Sequence, residues 1–479
     1  MNQTDRHVSV EGIDWGAVLP FTQLFRAFRQ AVHPGKLGLA LLLVVLLFIG
    51  GKLVDGAFGG RVLDDEILHY ATSRSAQFEE WRGAALQHRE RNEKLGLDPA
   101  ELRGVFAATL DYELDAFSRM VNAAISLRVG LGELVTGSEL SRASVLGALR
   151  DMFVVAPGWM IAWQPWVLAI YLLYALALWA LLGGAIARVC ALQACGDHPT
   201  DATEAVRFAV ARWFWLFGAP LLPVAAVLLC GLVLVVSGLV FFNLPVLDIM
   251  GALLFFVFLF LGAVMTLGLV GLATGGHLLY PAIAVEGADG FDAIARAFNY
   301  VMGQPWRWLC YTLVALVYGA ITYAFVGLFI FIAIYFTHQS LDLGVVAQVG
   351  EGVDAVGRFE AMFQAPRLGE LAYQVQWDEL SWSAKIAAAL IWVWVMLLIA
   401  LLPAFVISYY FTAHTWIYLL LRRSSEGAEF DEVYLEPREP DLAPAAADKT
   451  EPAAPAPETS APAASAPPVE STDGNSVTT

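Results

Sequence analysis

Charge is scarce in this chain. Of its 479 residues only 15% are Asp, Glu, Lys or Arg, against about 25% in an ordinary soluble domain. With 58% hydrophobic residues, neither a soluble globular enzyme nor a disordered protein fits the composition. Bases are scarcer than acids: 28 Lys and Arg face 45 Asp and Glu, a formal net charge of -17. That balance leaves no basic footprint for a nucleic-acid partner. Cysteine is nearly absent. Of Cys190, Cys195, Cys230 and Cys310, two lie in apolar runs, which excludes an exported disulfide framework.

Catalytic signatures are lacking as well. No HExxH, GxSxG, Walker or dinucleotide-glycine pattern occurs. Cys190, Cys195 and His198 share one polar stretch, but a zinc site asks for closer cysteines and a fourth ligand. Acid groups such as Asp64-Asp65-Glu66 and Asp111, Glu113 and Asp115 read as solvated helix faces. No catalytic residue, cofactor or metal is expected.

What the chain has is long apolar runs. A bilayer core about 30 Å thick takes about 20 apolar residues of helix. Six runs qualify: 37–54, 163–187, 214–240, 249–272, 308–336 and 386–421, the last including an extension that Arg422 and Arg423 stop. No ionisable residue lies centrally in any of them; Asp248, His277 and His414 fall near run ends. Proton- or ion-coupled transport thus lacks its usual carriers. Trp163, Trp166, Trp213, Trp215, Trp306 and Trp308 flank the runs, as ring-bearing residues do at headgroup level.

Bases near the run ends give an orientation. Arg26, Arg29 and Lys36 precede the first run; Arg188, Arg207 and Arg212 lie between the second and third. Arg296 and Arg307 lie between the fourth and fifth, and Arg422 and Arg423 follow the sixth. Both termini are therefore expected on the cytoplasmic side. With no cleavage site after the first run, that run is expected to stay as an anchor.

The intervening segments follow. Residues 1–36 and the loops 188–213 and 273–307 fall inside; 55–160 and 338–384 fall outside. The outer 55–160 reads as helical. Asp98-Pro99-Ala100-Glu101 looks like a helix start. An apolar stripe follows at Leu102, Val105, Phe106, Leu110, Leu114, Phe117, Val121 and Ile125. Self-packing of 61–155 is the simpler reading of that stripe, and binding an envelope protein the sharper one. Residues 436–479, rich in Pro, Ala and acids, are expected to be a disordered tail. From Ser424 to Thr479 stand 12 acids and 2 bases, so most of the net charge belongs there.

A repeat organises the runs. Phe291-Asp-Ala-Ile-Ala-Arg296-Ala-Phe298 precedes the fifth, Phe21-Thr-Gln-Leu-Phe-Arg26-Ala-Phe28 the first, and Glu204-Ala-Val-Arg207-Phe208 the third. Each reads as an amphipathic helix lying in the interface. The expected fold is an all-α integral membrane protein of six transmembrane helices. They form three hairpins, each preceded by an interfacial helix, with an extracytoplasmic helical insertion in the first. Ala180, Gly184, Gly268, Gly271 and Gly275 are expected to pack helices closely. Arg188, Arg207, Arg296 and Arg422, with Glu286 at similar depth, would either pair into a cytoplasmic belt or hold lipid headgroups.

Three stretches carry a resemblance. They are Gly183-Gly-Ala-Ile-Ala-Arg188 with Ala219-Pro-Leu-Leu-Pro223, Pro281-Ala-Ile-Ala-Val-Glu-Gly287 with Gln304-Pro-Trp306, and Tyr418-Leu-Leu-Leu-Arg422 with Asp431-Glu-Val-Tyr434. They resemble an uncharacterised multi-pass membrane protein family of planctomycete bacteria over about 163–435. More distantly, the helix-plus-hairpin plan is similar to YciC-like and glycerophosphodiesterase-membrane-domain-like families. The resemblance implies six spans and an inner-membrane setting, and it transfers no catalytic residue. Three functions stay open: an envelope scaffold or assembly protein, a permease or channel for a neutral or lipid-like solute, and, last, an intramembrane enzyme. The expected partners are the lipid bilayer and, through 61–155, an envelope protein.

Overall fold

The computed structural model describes residues 19–95, 102–136, 140–196, 201–244, 246–345, 348–349, 356–367, 373 and 375–434. The tail 436–479, the helix start at Asp98–Glu101 and His198 lie outside the described residues.

A short 3-10 helix, Pro20–Phe25, leads into α1, Arg26–Ala31. Then come α2 (Pro34–Phe58), α3 (Glu66–Thr72), α4 (Ser75–Lys94), α5 (Val105–Ile125) and α6 (Leu131–Thr136). Next are α7 (Val145–Trp163) and α8 (Pro165–Cys195), then α9 (Ala202–Ala211) and α10 (Trp213–Phe241). After them follow α11 (Leu247–Leu253), α12 (Phe255–Glu286), α13 (Gly290–Gly303), α14 (Pro305–Asp342), α15 (Arg358–Met362) and α16 (Trp382–Glu426). Two strands of two residues, Gln348–Val349 and Val356–Gly357, pair antiparallel.

Among the described residues seven helices are long and apolar enough to cross a membrane: α2, α7, α8, α10, α12, α14 and α16. The chain is an all-α protein of multi-pass membrane type. The seventh such helix, α7, falls inside the segment that the sequence reading assigned to a helical insertion. Its length and apolarity are those of a span, but Asp151 at its middle is fully buried against two arginines.

Three antiparallel pairs carry the long helices. Tyr174 of α8 donates to Leu46 O of α2 at 2.7 Å. Gly268 of α12 faces Val227 of α10. Tyr409 of α16 donates to Ala315 O of α14 at 2.7 Å. We call the end holding Pro34, Cys195 and Glu426 basal and the other distal.

Proline sets the entry to several helices. Gln164 (φ -135, ψ 47) and Gln304 (φ -139, ψ 56) break the helix before Pro165 and Pro305. Proline at the first helical position forgoes an N–H that lacks a partner anyway. The tryptophans that follow, Trp166 and Trp306, are 78% and 80% exposed, as residues meeting a headgroup layer would be.

The distal insertion has its own core of Val62, Ile67, Phe78, Val105, Tyr112 and Trp159. Of the expected stripe, its helix α5 gives that core Val105, and the rest of the buried face comes from other positions. Val105, Ala108, Tyr112, Ala116 and Ala123 are buried, whereas Leu114 is exposed. Phe106 instead packs over Gly51 of α2 and near Tyr171, and Phe117 meets Tyr323 of α14 edge-on. Phe106 and Phe117 of the stripe thus find their partners on the long helices of the same chain.

Candidate functional site

The basal end is the most closely packed part of the molecule. The end of α8 from Gly184 to Leu192, the end of α12 from Leu279 to Val285, and α16 from Phe411 to Arg422 are buried almost throughout, His414 being only partly so. Small residues make this possible. A Cβ on Gly183 would strike the Phe411 ring, and one on Gly184 would strike Leu216. Ala180 is fully buried beside them. Gly271 and Gly275 lie under the Phe298 ring. These close approaches are within the chain, between α8, α10, α12, α13 and α16.

Lys36 occupies the middle of this packing. The sequence places it among the bases flanking the first run, but the structure buries it completely. Its Nζ donates to Thr412 Oγ1 at 3.1 Å and to Cys190 Sγ at 3.5 Å. Cys190 Sγ and Thr412 Oγ1 are 3.3 Å apart, closing a triangle. Thr412 donates onward to Ser408 O and Ser408 to Ala31 O, each at 2.7 Å. No carboxylate pairs with Lys36 among the described residues. Burying an ammonium without a counter-charge costs several kcal/mol. The arrangement therefore favours forms with no net charge: amine with thiol, or ammonium with thiolate.

Further along α16, toward its C-terminus, lies an ion cluster. Arg422 Nε is 2.8 Å from Glu286 Oε1, and Arg422 Nη1 donates to Glu432 O at 2.6 Å. Tyr418 donates to Glu286 at 3.2 Å. Arg296 Nε donates to Asp292 at 2.9 Å and its Nη1 lies 3.8 Å from Glu426. The hydrogen bond to Asp292, with Glu286 adding to it, holds the Arg296 guanidinium well above its usual range. Burial, and then Glu426, push the Tyr300 phenol up to about 12.

Arg188 and Arg212 bind backbone instead. Arg188 donates to Ala284 O at 2.7 Å and to Tyr434 O at 2.6 Å, with its guanidinium over the Phe208 ring. Arg212 donates to Gly287 O and lies over the Tyr434 ring. Tyr434 N completes the clasp by donating to Val285 O at 2.8 Å. The structure thus brings Arg296, Arg422 and Glu286 together, while Arg188 holds the backbone at Ala284, two residues before Glu286. Arg207 stands apart, exposed on α9. His277 and His414 also meet, ring centroids 4.5 Å apart, and Trp308 donates to His277 Nε2 at 3.2 Å.

Two further features lie elsewhere. In the distal insertion Asp151 Oδ2 accepts from Arg142 Nε at 2.7 Å and Arg119 Nη1 at 3.0 Å. Burial first, and the Asp151 charge second, raise the nearby Glu113 carboxyl to about 7. Between α10, α12 and α13 lies an apolar cavity of about 500 Å³.

No metal-ligand cluster of three or more His, Cys, Asp or Glu occurs among the described residues. Lys36 and Asp55 are what sequence reasoning missed. A signal for Lys36 was available: it sits one turn inside a helix that Pro34 starts, where a base must either snorkel or be buried. No family model, no curated protein and no solved structure matches this chain.

Proposed function

We propose that the chain is a multi-pass protein of a bacterial inner membrane that acts as an envelope scaffold or assembly protein, without chemistry of its own. In this reading it crosses six times as three hairpins, α2–α8, α10–α12 and α14–α16. The helices α1, α9 and α13 lie at the cytoplasmic face, both termini are cytoplasmic, and α7 stays with the outer insertion. The likeness to the planctomycete family belongs to the same proposal and assigns no residue a role.

One observation carries it. Leu127 holds a left-handed backbone, φ 55, and is 84% exposed. A non-glycine residue in that region carries strain, and such strain collects at functional sites. Leu131 and Val135 continue the apolar row, and a cavity of about 640 Å³ lies beside it, lined by Val129, Leu131, Glu133 and Ser144. Such a row on a polar domain suits a protein partner. A photo-crosslinking amino acid at position 131, in intact cells, tests this. A discrete protein adduct, lost when Leu127→Asp and Val135→Asp are added, is expected. Adducts to lipid alone, or none, overturn it.

A second reading, a carrier for a lipid-like solute, is favoured by the cavity between α10, α12 and α13. Leu222, Pro223, Cys230, Met265, Gly268 and Phe298 line it. Pro220 and Pro223 each remove a helical hydrogen bond from α10 there. Liposomes holding the protein should then exchange a fluorescent phospholipid between leaflets, and Gly268→Phe should stop the exchange. Equal rates with and without protein sink the reading.

A further inference from the structure

We propose that Lys36 and Cys190 form a redox-controlled covalent brace, a sulfenamide that joins α2 to α8 when a peroxide oxidises Cys190. The observation is the triangle itself. An amine nitrogen and a thiol sulfur lie 3.5 Å apart, both enclosed, and Thr412 Oγ1 lies within hydrogen-bond distance of each. Neither side chain carries a role in the proposed scaffold or carrier.

The chemistry follows from what each group does for the other. Thiolate, not thiol, reacts with peroxide, and an adjacent base promotes it. Lys36 is that base: taking the Cys190 proton leaves a neutral ammonium–thiolate pair. The thiolate sulfur attacks one peroxide oxygen and the O–O bond breaks. Cys190 becomes a sulfenic acid, oxidised by two electrons, and the other oxygen leaves as water. A sulfenic acid condenses with the nitrogen or thiol within reach.

Lys36, again a free amine after giving up its proton to that water, is the nitrogen in reach. Its lone pair attacks sulfur, the S–O bond breaks, and hydroxide leaves with the amine proton as a second water. The product is one S–N bond in place of an S–H and an N–H. A dithiol reverses it, restoring thiol and amine while becoming a disulfide.

The site favours this outcome over further oxidation. A second peroxide must wait for another opening of the enclosed site, while the amine already lies 3.5 Å from the sulfur. Peroxide is uncharged and water-sized, and enters by the local opening that helix ends undergo; Lys36 stands one turn from the start of α2. The other thiols lack such a partner. Cys195 donates to Ala191 O, and Cys310 is exposed. A brace here closes a long loop, which restrains the opened chain most.

The test uses the full chain in lipid nanodiscs, treated with hydrogen peroxide, quenched, digested and analysed by mass spectrometry. The expected result is a peptide pair joining Lys36 to Cys190, lighter by two hydrogens than the two peptides together. It should account for most of Cys190 and disappear with a dithiol. It should be absent from Cys190→Ser and from Lys36→Met, which keeps the stem and drops the amine. The wild-type measurement stands whether or not the variants fold. Cys190 remaining a thiol while Cys310 is fully oxidised overturns the proposal. So does Cys190 recovered as a free sulfenic or sulfinic acid with Lys36 unmodified.

Discussion

The Asp55 carboxylate caps α5: its Oδ1 accepts from Phe106 N at 2.7 Å and its Oδ2 from Ala107 N at 3.0 Å. Asp55 belongs to the last turn of α2, so a long apolar helix ends by holding the start of the distal insertion. Helix N-termini leave N–H groups without partners, and a carboxylate there meets both the hydrogen bonds and the dipole.

Asp55→Ala should therefore loosen the insertion at its root. The expected loss is about 1–2 kcal/mol, the range for a removed cap. Gly104→Ala should act in the same direction, because a Cβ there would strike the Asp55 carboxylate. Hydrogen exchange at Phe106 and Ala107 reads the effect directly. Unchanged protection at these amides in both variants would show that the cap does not hold α5.

This cap shows what was legible in the sequence and what was not. The apolar runs stood out because no charge interrupts them, Arg422 because it closes the last of them, and Glu286 because it lies at a depth similar to the arginines. Partnerships across the chain did not. Asp55 and Phe106 are separated by the whole of α3 and α4, and the local pattern at Asp98-Pro99 competed for the same helix start. Lys36 read as a flanking base because its burial depends on α8 and α16 meeting over it, a close approach that Gly183 permits under the Phe411 ring. Small residues announce close packing in general; which helix arrives there is decided by the chain path.

The pair of Arg422 and Glu286 gives a second prediction. Their side chains are 10% and 14% exposed, so each needs the other. Removing one partner of such a pair leaves a charge with little solvent, at a cost of about 3 kcal/mol. Glu286→Gln and Arg422→Met should each lower the melting temperature in detergent. The double variant should recover much of the loss, since neither charge remains. Additive losses in the double variant would show that the two charges do not depend on one another.

Glu113 makes stability depend on pH. Its carboxyl is raised to about 7 from the ordinary 4.5. Between these values the folded chain holds a proton that the unfolded chain lacks. Stability therefore falls as pH rises through this window and levels above it. Glu113→Gln, neutral at every pH, should flatten that slope and raise the melting temperature at pH about 8 relative to the parent. Since Glu113 is only half-buried, solvent screening makes the effect modest. Parallel melting curves of parent and variant from pH about 5 to 8 would refute the assignment.

The last prediction concerns α7, which length and hydropathy alone would place across a membrane. Crossing would carry Asp151, Arg119 and Arg142 toward lipid or tear them apart. Their contacts at 2.7 and 3.0 Å tie α7 to α5 and to the segment before it. An ionic group at mid-bilayer is costly, by about 3 kcal/mol or more. Keeping α7 beside α5 on one side avoids that cost, and Gln164 then provides the bend from which α8 enters the bilayer. Single cysteines in a cysteine-free background decide the matter. Ser126→Cys and Trp166→Cys, on either side of α7, should react with an impermeant maleimide from the same side of sealed vesicles. Arg207→Cys, on α9, should react only after the vesicles are opened. Labelling of positions 126 and 166 from opposite sides would make α7 a seventh span and place the two halves of the insertion on different faces.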